Sequence, residues 1–226
     1  LGNGLGNQLF TYAAAYTFAR KNNAELYVDD ESGFYKRYKY ELHNLNIKAP
    51  IVERKYKFLG ISGKIKRKIL QKINNLKKDK IFLIEEHDSN KLTFYNQKQL
   101  NINFNNRLYF EGYFQSEKYF KEESENLKRE YSFKKTITNH KSYFLEKIKS
   151  NNSVSIHVRQ AKFSNDEGHE DLDKLNKEFF ELNQNIIKKG INFFDKNINK
   201  PTYFVWSNNF SGLREFYSSE KFIFVD

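Results

Sequence analysis

The sequence contains no cysteine, no methionine, two prolines and a single tryptophan among its 226 residues. Without cysteine there are neither disulfides nor thiolate metal sites, and a reducing compartment is permitted though not required. Long apolar runs are also missing. The longest nearly apolar stretch, Leu9 to Ala19, falls well short of the ~20 residues that a spanning helix needs. No signal peptide is visible, so the chain reads as soluble or peripheral. It also lacks an initiator Met, and only Leu1, Gly2 and Asn3 precede a glycine corner that normally follows a strand. The expectation is a fragment whose first strand lies ahead of Leu1 and whose sheet continues beyond Asp226.

Aromatic residues are plentiful at 17%, so the polar average hydropathy does not mean disorder. The net charge of +11 is concentrated. Residues 53–80 hold 11 Lys or Arg against 2 acidic residues, or +9, which leaves about +2 for the remainder. A globally basic nucleic-acid binder is therefore not indicated. Within this segment Ile61, Ile65, Ile69, Ile73 and Leu76 recur at helical spacing, with Lys64, Arg67, Lys68 and Lys72 between them. Such a helix could lie on an anionic membrane surface. The preferred reading is a helix docked on its own core with its charged face in water.

The corner Gly4-Leu5-Gly6-Asn7-Gln8 feeds a helix expected from about Gln8 to Lys21, stopped at Asn22-Asn23. Two glycines allow a tight turn and close approach of a ligand. The following helix turns its free N–H groups toward that turn, which suits a phosphate or sugar–phosphate. Strands are expected at Glu25–Asp29, Lys80–Glu85 and Leu108–Phe114. Ser116 then caps a helix to about Arg129, and another helix covers Ser142–Lys149. The polar run 149–152 marks the expected boundary between domains 1–150 and 151–226.

The second half alternates: strand Ser153–Arg159, a polar loop, then a helix with Leu172, Leu175, Phe179, Leu182 and Ile186 spaced three and four apart, ending at Gly190. A strand at Thr202–Trp206, a short helix near 211–217 and a strand at Phe222–Val225 follow. This order predicts an α/β fold with a parallel, doubly wound sheet. In the first strand Val154, Ile156 and Val158 face one way, and Ser155, His157 and Arg159 the other. His157 and Arg159 then stand together near the carboxyl end, where open α/β sheets bind ligands. Arg suits a phosphate oxygen, and His can donate to a phosphate or position a hydroxyl.

Four segments carry a resemblance. Gly-Leu-Gly-Asn-Gln-Leu-Phe at 4–10, followed by Tyr12-Ala13, resembles the opening of the bacterial α-1,2-fucosyltransferases, glycosyltransferase family 11. Residues 112–120, Gly-Tyr-Phe-Gln-Ser-Glu-Lys-Tyr-Phe, are similar to that family's Gly-Tyr-Trp-Gln-Ser-Glu-Lys-Tyr-Phe. His157-Val158-Arg159 resembles its His-x-Arg-Arg motif, and 204–209 resembles its strand ending in Ser-Asp-Asp.

The resemblance implies a GT-B fold of two Rossmann-like domains with the active site in their cleft, the first on the acceptor side. It implies inverting, metal-independent transfer of L-fucose from GDP-L-fucose to the 2-hydroxyl of a galactose-containing glycan, with no cofactor. Arg159 would hold the donor's β-phosphate as GDP leaves, and His157 would support donor placement. Gly4, Gly6, Asn7 and Gln8 would lie near the diphosphate or the fucose, and Ser207 and Asn208 near the nucleoside. The family's second Arg is Gln160 here, and its Gly-Asp is Ala161-Lys162, with Lys162 able to restore a charge. Asn208 stands in place of Asp. These departures suggest a variant branch.

No general base is identifiable, although Asp29 and Asp30 could face the cleft. Asp171-Leu172-Asp173 has the form of a metal–nucleotide motif, but its place at a helix start favours capping. The acids around Glu85-Glu86-His87-Asp88 and His169-Glu170-Asp171 lack metal-ligand spacing. The expected setting is the cytoplasm, with the basic helix as the feature that would hold the enzyme on the inner face of the membrane. Two other readings stay open: a related GDP-sugar transferase forming another linkage, and a non-catalytic basic module binding membrane or nucleic acid through residues 53–80.

Overall fold

A computed structural model describes residues 2–34, 38–85, 95–134, 142–160 and 171–225. The chain divides into two compact units, Leu1–Ile137 and Thr138–Asp226. The expected boundary at 149–152 falls later than this division. Helix Ser142–Ser150 belongs with the second unit, where the Ser153 hydroxyl donates to the Ile148 carbonyl at 2.6 Å across the tight link into the next strand.

The first unit contains α1 (Leu5–Lys21), α2 (Gly60–Leu76), β1 (Phe82–Ile84), β2 (Tyr109–Glu111) and α3 (Ser124–Glu130). α1 starts three residues earlier than expected, because Gly4 is its N-cap and Gly6 already lies in its first turn. The left-handed residue of the corner is Asn3 (φ 60). The close approach belongs to Gly2, where a Cβ would come 2.5 Å from the Gly33 carbonyl oxygen. α1 buries Tyr12, Ala13, Ala14, Phe18 and Ala19; Tyr12 and Ala13 pack with Val28, Leu42, Leu45 and Leu127, and Ala14 and Phe18 with Leu83, Phe114 and Tyr119.

β1 and β2 pair in parallel. The expected strand 25–29 contributes a single parallel bridge, Val28 to Ile51, with Val28 N–H donating to Pro50 and Val52 N–H to Val28. The helix expected after Ser116 is broken into 3-10 turns at Glu117–Tyr119 and Lys121–Glu123 before α3.

α2 reverses the preferred reading. Ile61, Ile65, Ile69 and Leu76 are exposed (80%, 54%, 52% and 90%), while Asn74 is buried. The helix docks by its polar face: Arg67 grips Glu111 with two nitrogens, and Gln71 donates to the same carboxylate. Asn74 accepts from the N–H groups of Ile81 and Phe82 and donates to the Phe82 carbonyl.

The second unit contains α4 (Ser142–Ser150), β3 (Ser153–Val158), α5 (Leu172–Asn197), β4 (Thr202–Ser207), α6 (Leu213–Phe216) and β5 (Phe222–Phe224). Its three strands are parallel in the order β3-β4-β5, so the chain is α/β with parallel sheets. Alternate β3 residues Val154, Ile156 and Val158 join Tyr203, Val205, Leu213 and Tyr217 in the core. Phe180, Ile187, Ile191 and Phe194 of α5 cover it. The helix therefore runs through Gly190 to Asn197 rather than ending there, and Leu182 and Ile186 of the apolar stripe read from the sequence are 61% and 60% exposed. Two apolar stripes alternate on α5, and the one that continues past the glycine meets the sheet. Among the described residues no helix is long and apolar enough to cross a membrane.

Candidate functional site

His157, Arg159, Gln160, Ser207 and Asn208, five of the ten residues expected at the site, lie at the carboxyl edge of the second unit's sheet. β3 alternates exposed and buried, which puts Ser155 and His157 on the open face. His157 lies opposite Trp206 and Val158 opposite Ser207 in the parallel register. Arg159 follows where the strand ends and is exposed. Neither His157 nor Arg159 makes a hydrogen bond or ion pair with any described residue. An exposed guanidinium with no partner among the described residues, close in sequence to an exposed imidazole, is an arrangement that can receive an anion.

The neighbouring polar residues build the loop instead. Asn208 Oδ1 accepts from the Gln160 N–H at 3.0 Å, and Gln160 Nε2 donates to the Ser211 carbonyl at 2.8 Å. The Ser207 hydroxyl donates to the Asn209 carbonyl and accepts from the Asn209 N–H, and Asn209 Oδ1 accepts from Ser211. Asn208 and Gln160 thus tie two strand ends together while Ser207 turns its own loop, and among the described residues Gln160 Oε1 and Asn208 Nδ2 have no partner. The alternating Ser207, Asn209 and Ser211 are the sequence signal for such side-chain turns, which the family pattern obscures. Lys162 and Ala161 lie outside the described residues, as do His169 and Glu170. Asp171 is the N-cap of α5, accepting from the Lys174 N–H at 3.0 Å.

In the first unit the structure joins the glycine corner to the 112–120 segment. Gln115 Nε2 donates to Asn7 Oδ1 at 2.6 Å. The Thr11 hydroxyl lies 2.9 Å from the Asn7 carbonyl and 2.8 Å from that of Gly112, donating its one proton between them. Gln8 is fully buried, which removes it from direct contact with a ligand. Its amide donates to the Asn3 and Lys39 carbonyls and accepts from the Glu41 N–H, fixing the entry to α1. Gly6, by contrast, is exposed, and a Cβ there would meet nothing within 4 Å. The fold makes no steric demand for glycine at that position.

Glu85 shapes the other motif. This buried carboxylate accepts from the N–H groups of Tyr113 (2.6 Å) and Phe114 (2.8 Å), just after Gly112 at φ +149 and with Phe114 itself at φ 49. The residues Glu86 to Asp88 beside it lie outside the described residues. Among the described residues no group of three or more His, Cys, Asp or Glu could hold a metal.

Asp30 is held by Lys57 together with Glu31, and Asp29 Oδ1 accepts from the Glu31 and Ser32 N–H groups in a side-chain turn. Asp29 also borders a cavity of about 900 Å³ with Tyr12, Phe18, Val28 and Phe110. Beside the apolar flank of α1 its walls carry charges of both signs, among them Arg67, Glu85, Arg107 and Glu111.

No family model matches the chain, and no solved structure matches it significantly. Among curated proteins it is similar to the alpha-1,2-colitosyltransferase of Escherichia coli, with 29% identity over 167 residues. That match covers 72% of this chain and 53% of the relative, so the chain spans about half the length of the protein it resembles.

Proposed function

We propose that the protein is an inverting deoxysugar transferase that moves L-fucose from GDP-L-fucose to the 2-hydroxyl of a galactoside in a surface glycan or oligosaccharide. The observation that carries this reading is Arg159, an exposed cation with no partner among the described residues at the carboxyl edge of a parallel sheet, two positions after His157 on the open face of β3. In the proposed reaction the acceptor oxygen attacks the anomeric carbon from the face opposite the diphosphate. The carbon–oxygen bond to the β-phosphate breaks, GDP departs with the electron pair, and the acceptor hydroxyl releases its proton to solvent. Negative charge grows on the phosphate as this happens, and a permanently charged group held in place stabilises it.

Arg159 binds the β-phosphate in this scheme, and His157 donates to a phosphate or sugar oxygen. Gln160 Oε1 and Asn208 Nδ2 face the nucleoside, with Ser207 shaping their loop and Lys162 adding charge. In the first unit Gly4, Gly6 and Asn7 form the ligand-facing start of α1, and Gln8 fixes that start in place. The named relative, a transferase forming an alpha-1,2 linkage, supports both the reaction class and the linkage. Its name also favours a second reading in which the sugar moved is colitose, which lacks the 3-hydroxyl of fucose. Incubation with GDP-L-fucose or nucleotide-activated colitose and a lactose-type acceptor, followed by NMR of the product, separates the two. A product with neither sugar on the galactose 2-hydroxyl contradicts both.

A further inference from the structure

α2 is inverted relative to an ordinary surface helix. Its inward face is polar, docked through Arg67, Gln71 and Asn74, and Gly63 packs so closely that a Cβ would lie 2.4 Å from the Phe58 carbonyl carbon. Its outward face is aliphatic. Ile61, Ile65, Ile69, Ile73 and Leu76 share a sector of about 120° at 3.6 residues per turn, and all five are exposed. Lys64 and Lys68 flank this sector on one side and Lys66 on the other, with Lys72 inside it; all four are exposed and form no ion pair among the described residues. Residues 60–76 contain no acid, and exposed Lys77 and Lys78 follow directly.

We infer that α2 is an interfacial anchor that lies flat on an anionic lipid surface, with its isoleucine stripe at the acyl boundary and its lysines at the headgroup phosphates. The charge pattern selects this occupant. An apolar sector edged by lysines matches a bilayer interface, where apolar area and cationic rim are both satisfied, and a lysine within the sector can extend its amine to the headgroups. Nucleic acid would use the lysines and leave the isoleucines in water. A second copy would bring two lysine-rimmed faces together without an acid between them. The inference goes beyond the transferase reading and does not depend on it.

The test is sedimentation of the whole chain with vesicles of phosphatidylcholine alone or mixed equally with phosphatidylglycerol. The wild type is expected to pellet with the anionic vesicles, to remain in solution with the neutral ones, and to dissociate as salt rises. Two variants should each lower the partition at least about tenfold with unchanged circular dichroism: Ile65→Ser with Ile69→Ser, and Lys64→Glu with Lys66→Glu and Lys68→Glu. Reversal of Lys174 and Lys177 on α5 should leave it unchanged. Failure of the wild type to pellet, or pelleting unaffected by either α2 variant, overturns the inference. A concentration-dependent dimer abolished by Ile65→Ser assigns the face to a second copy and overturns it equally.

Discussion

Gln115 and Asn7, far apart in sequence, share a hydrogen bond of 2.6 Å. Through it, and through Thr11 reaching the Gly112 carbonyl, two segments of the family resemblance become one structural corner at the start of α1. Glu85 completes it from β1 by holding the backbone of residues 113 and 114. The corner separates glycines that the fold needs from one that it does not.

Gly112→Ala should lower stability by about 2–3 kcal/mol, because its φ is +149 and the new Cβ would lie 2.3 Å from that of Glu85. Gly6→Ala, inside the first turn of α1 with open space around it, should raise stability by about 0.5 kcal/mol. If Gly6 serves ligand approach, the same change should weaken binding of GDP-L-fucose. Urea denaturation and calorimetry on the two variants read both effects.

Asn74→Ala should cost about 3 kcal/mol in urea denaturation, since it orphans two N–H groups and a carbonyl at the start of β1. Ile65→Ser and Ile69→Ser on the outer face of the same helix should each cost less than about 0.5 kcal/mol.

Asp195 and Tyr203 should limit the stability of the second unit at opposite ends of the pH scale. Lys221 chiefly, with the Tyr203 hydroxyl, holds the Asp195 carboxyl below its ordinary range. Its contribution is therefore present above the unfolded value of about 4 and fades as pH falls below it. Burial, reinforced by Asp195, pushes the Tyr203 hydroxyl up to about 12. That contribution is present below about pH 10 and is lost as pH rises toward 12. Trp206 is the single tryptophan and lies on β4, so its fluorescence follows this unit alone. Asp195→Asn should flatten the acid limb of that signal and Tyr203→Phe the alkaline limb.

The β3-α5-β4 succession is legible because period-two alternation and short connections leave little choice of topology, and the same alternation puts His157 on the open face of β3. The orientation of the amphipathic helices is not legible. Periodicity identifies a stripe, but which face docks depends on what waits on the sheet. On α2 the waiting groups are Glu111 and the bare N–H groups before β1, so a polar face docks and five aliphatic residues turn outward. On α5 two apolar stripes compete, and Gly190 reads as a stop although Ile191 and Phe194 carry the packing beyond it. The loop roles of Gln160 and Asn208 are equally hidden, because hydrogen bonds between strand ends join residues whose proximity only the sheet creates.

Titration of GDP into the wild type, Arg159→Ala and Arg159→Lys tests the central claim most directly. A charged hydrogen-bonding partner contributes about 1.5–3 kcal/mol, so Arg159→Ala should weaken GDP binding about ten- to hundredfold. Arg159→Lys should recover part of that loss, because an ammonium restores the charge but cannot bind both oxygens of one phosphate in the same plane. Unchanged GDP affinity in Arg159→Ala, with the fold intact by circular dichroism, would contradict the donor-binding role assigned to this edge.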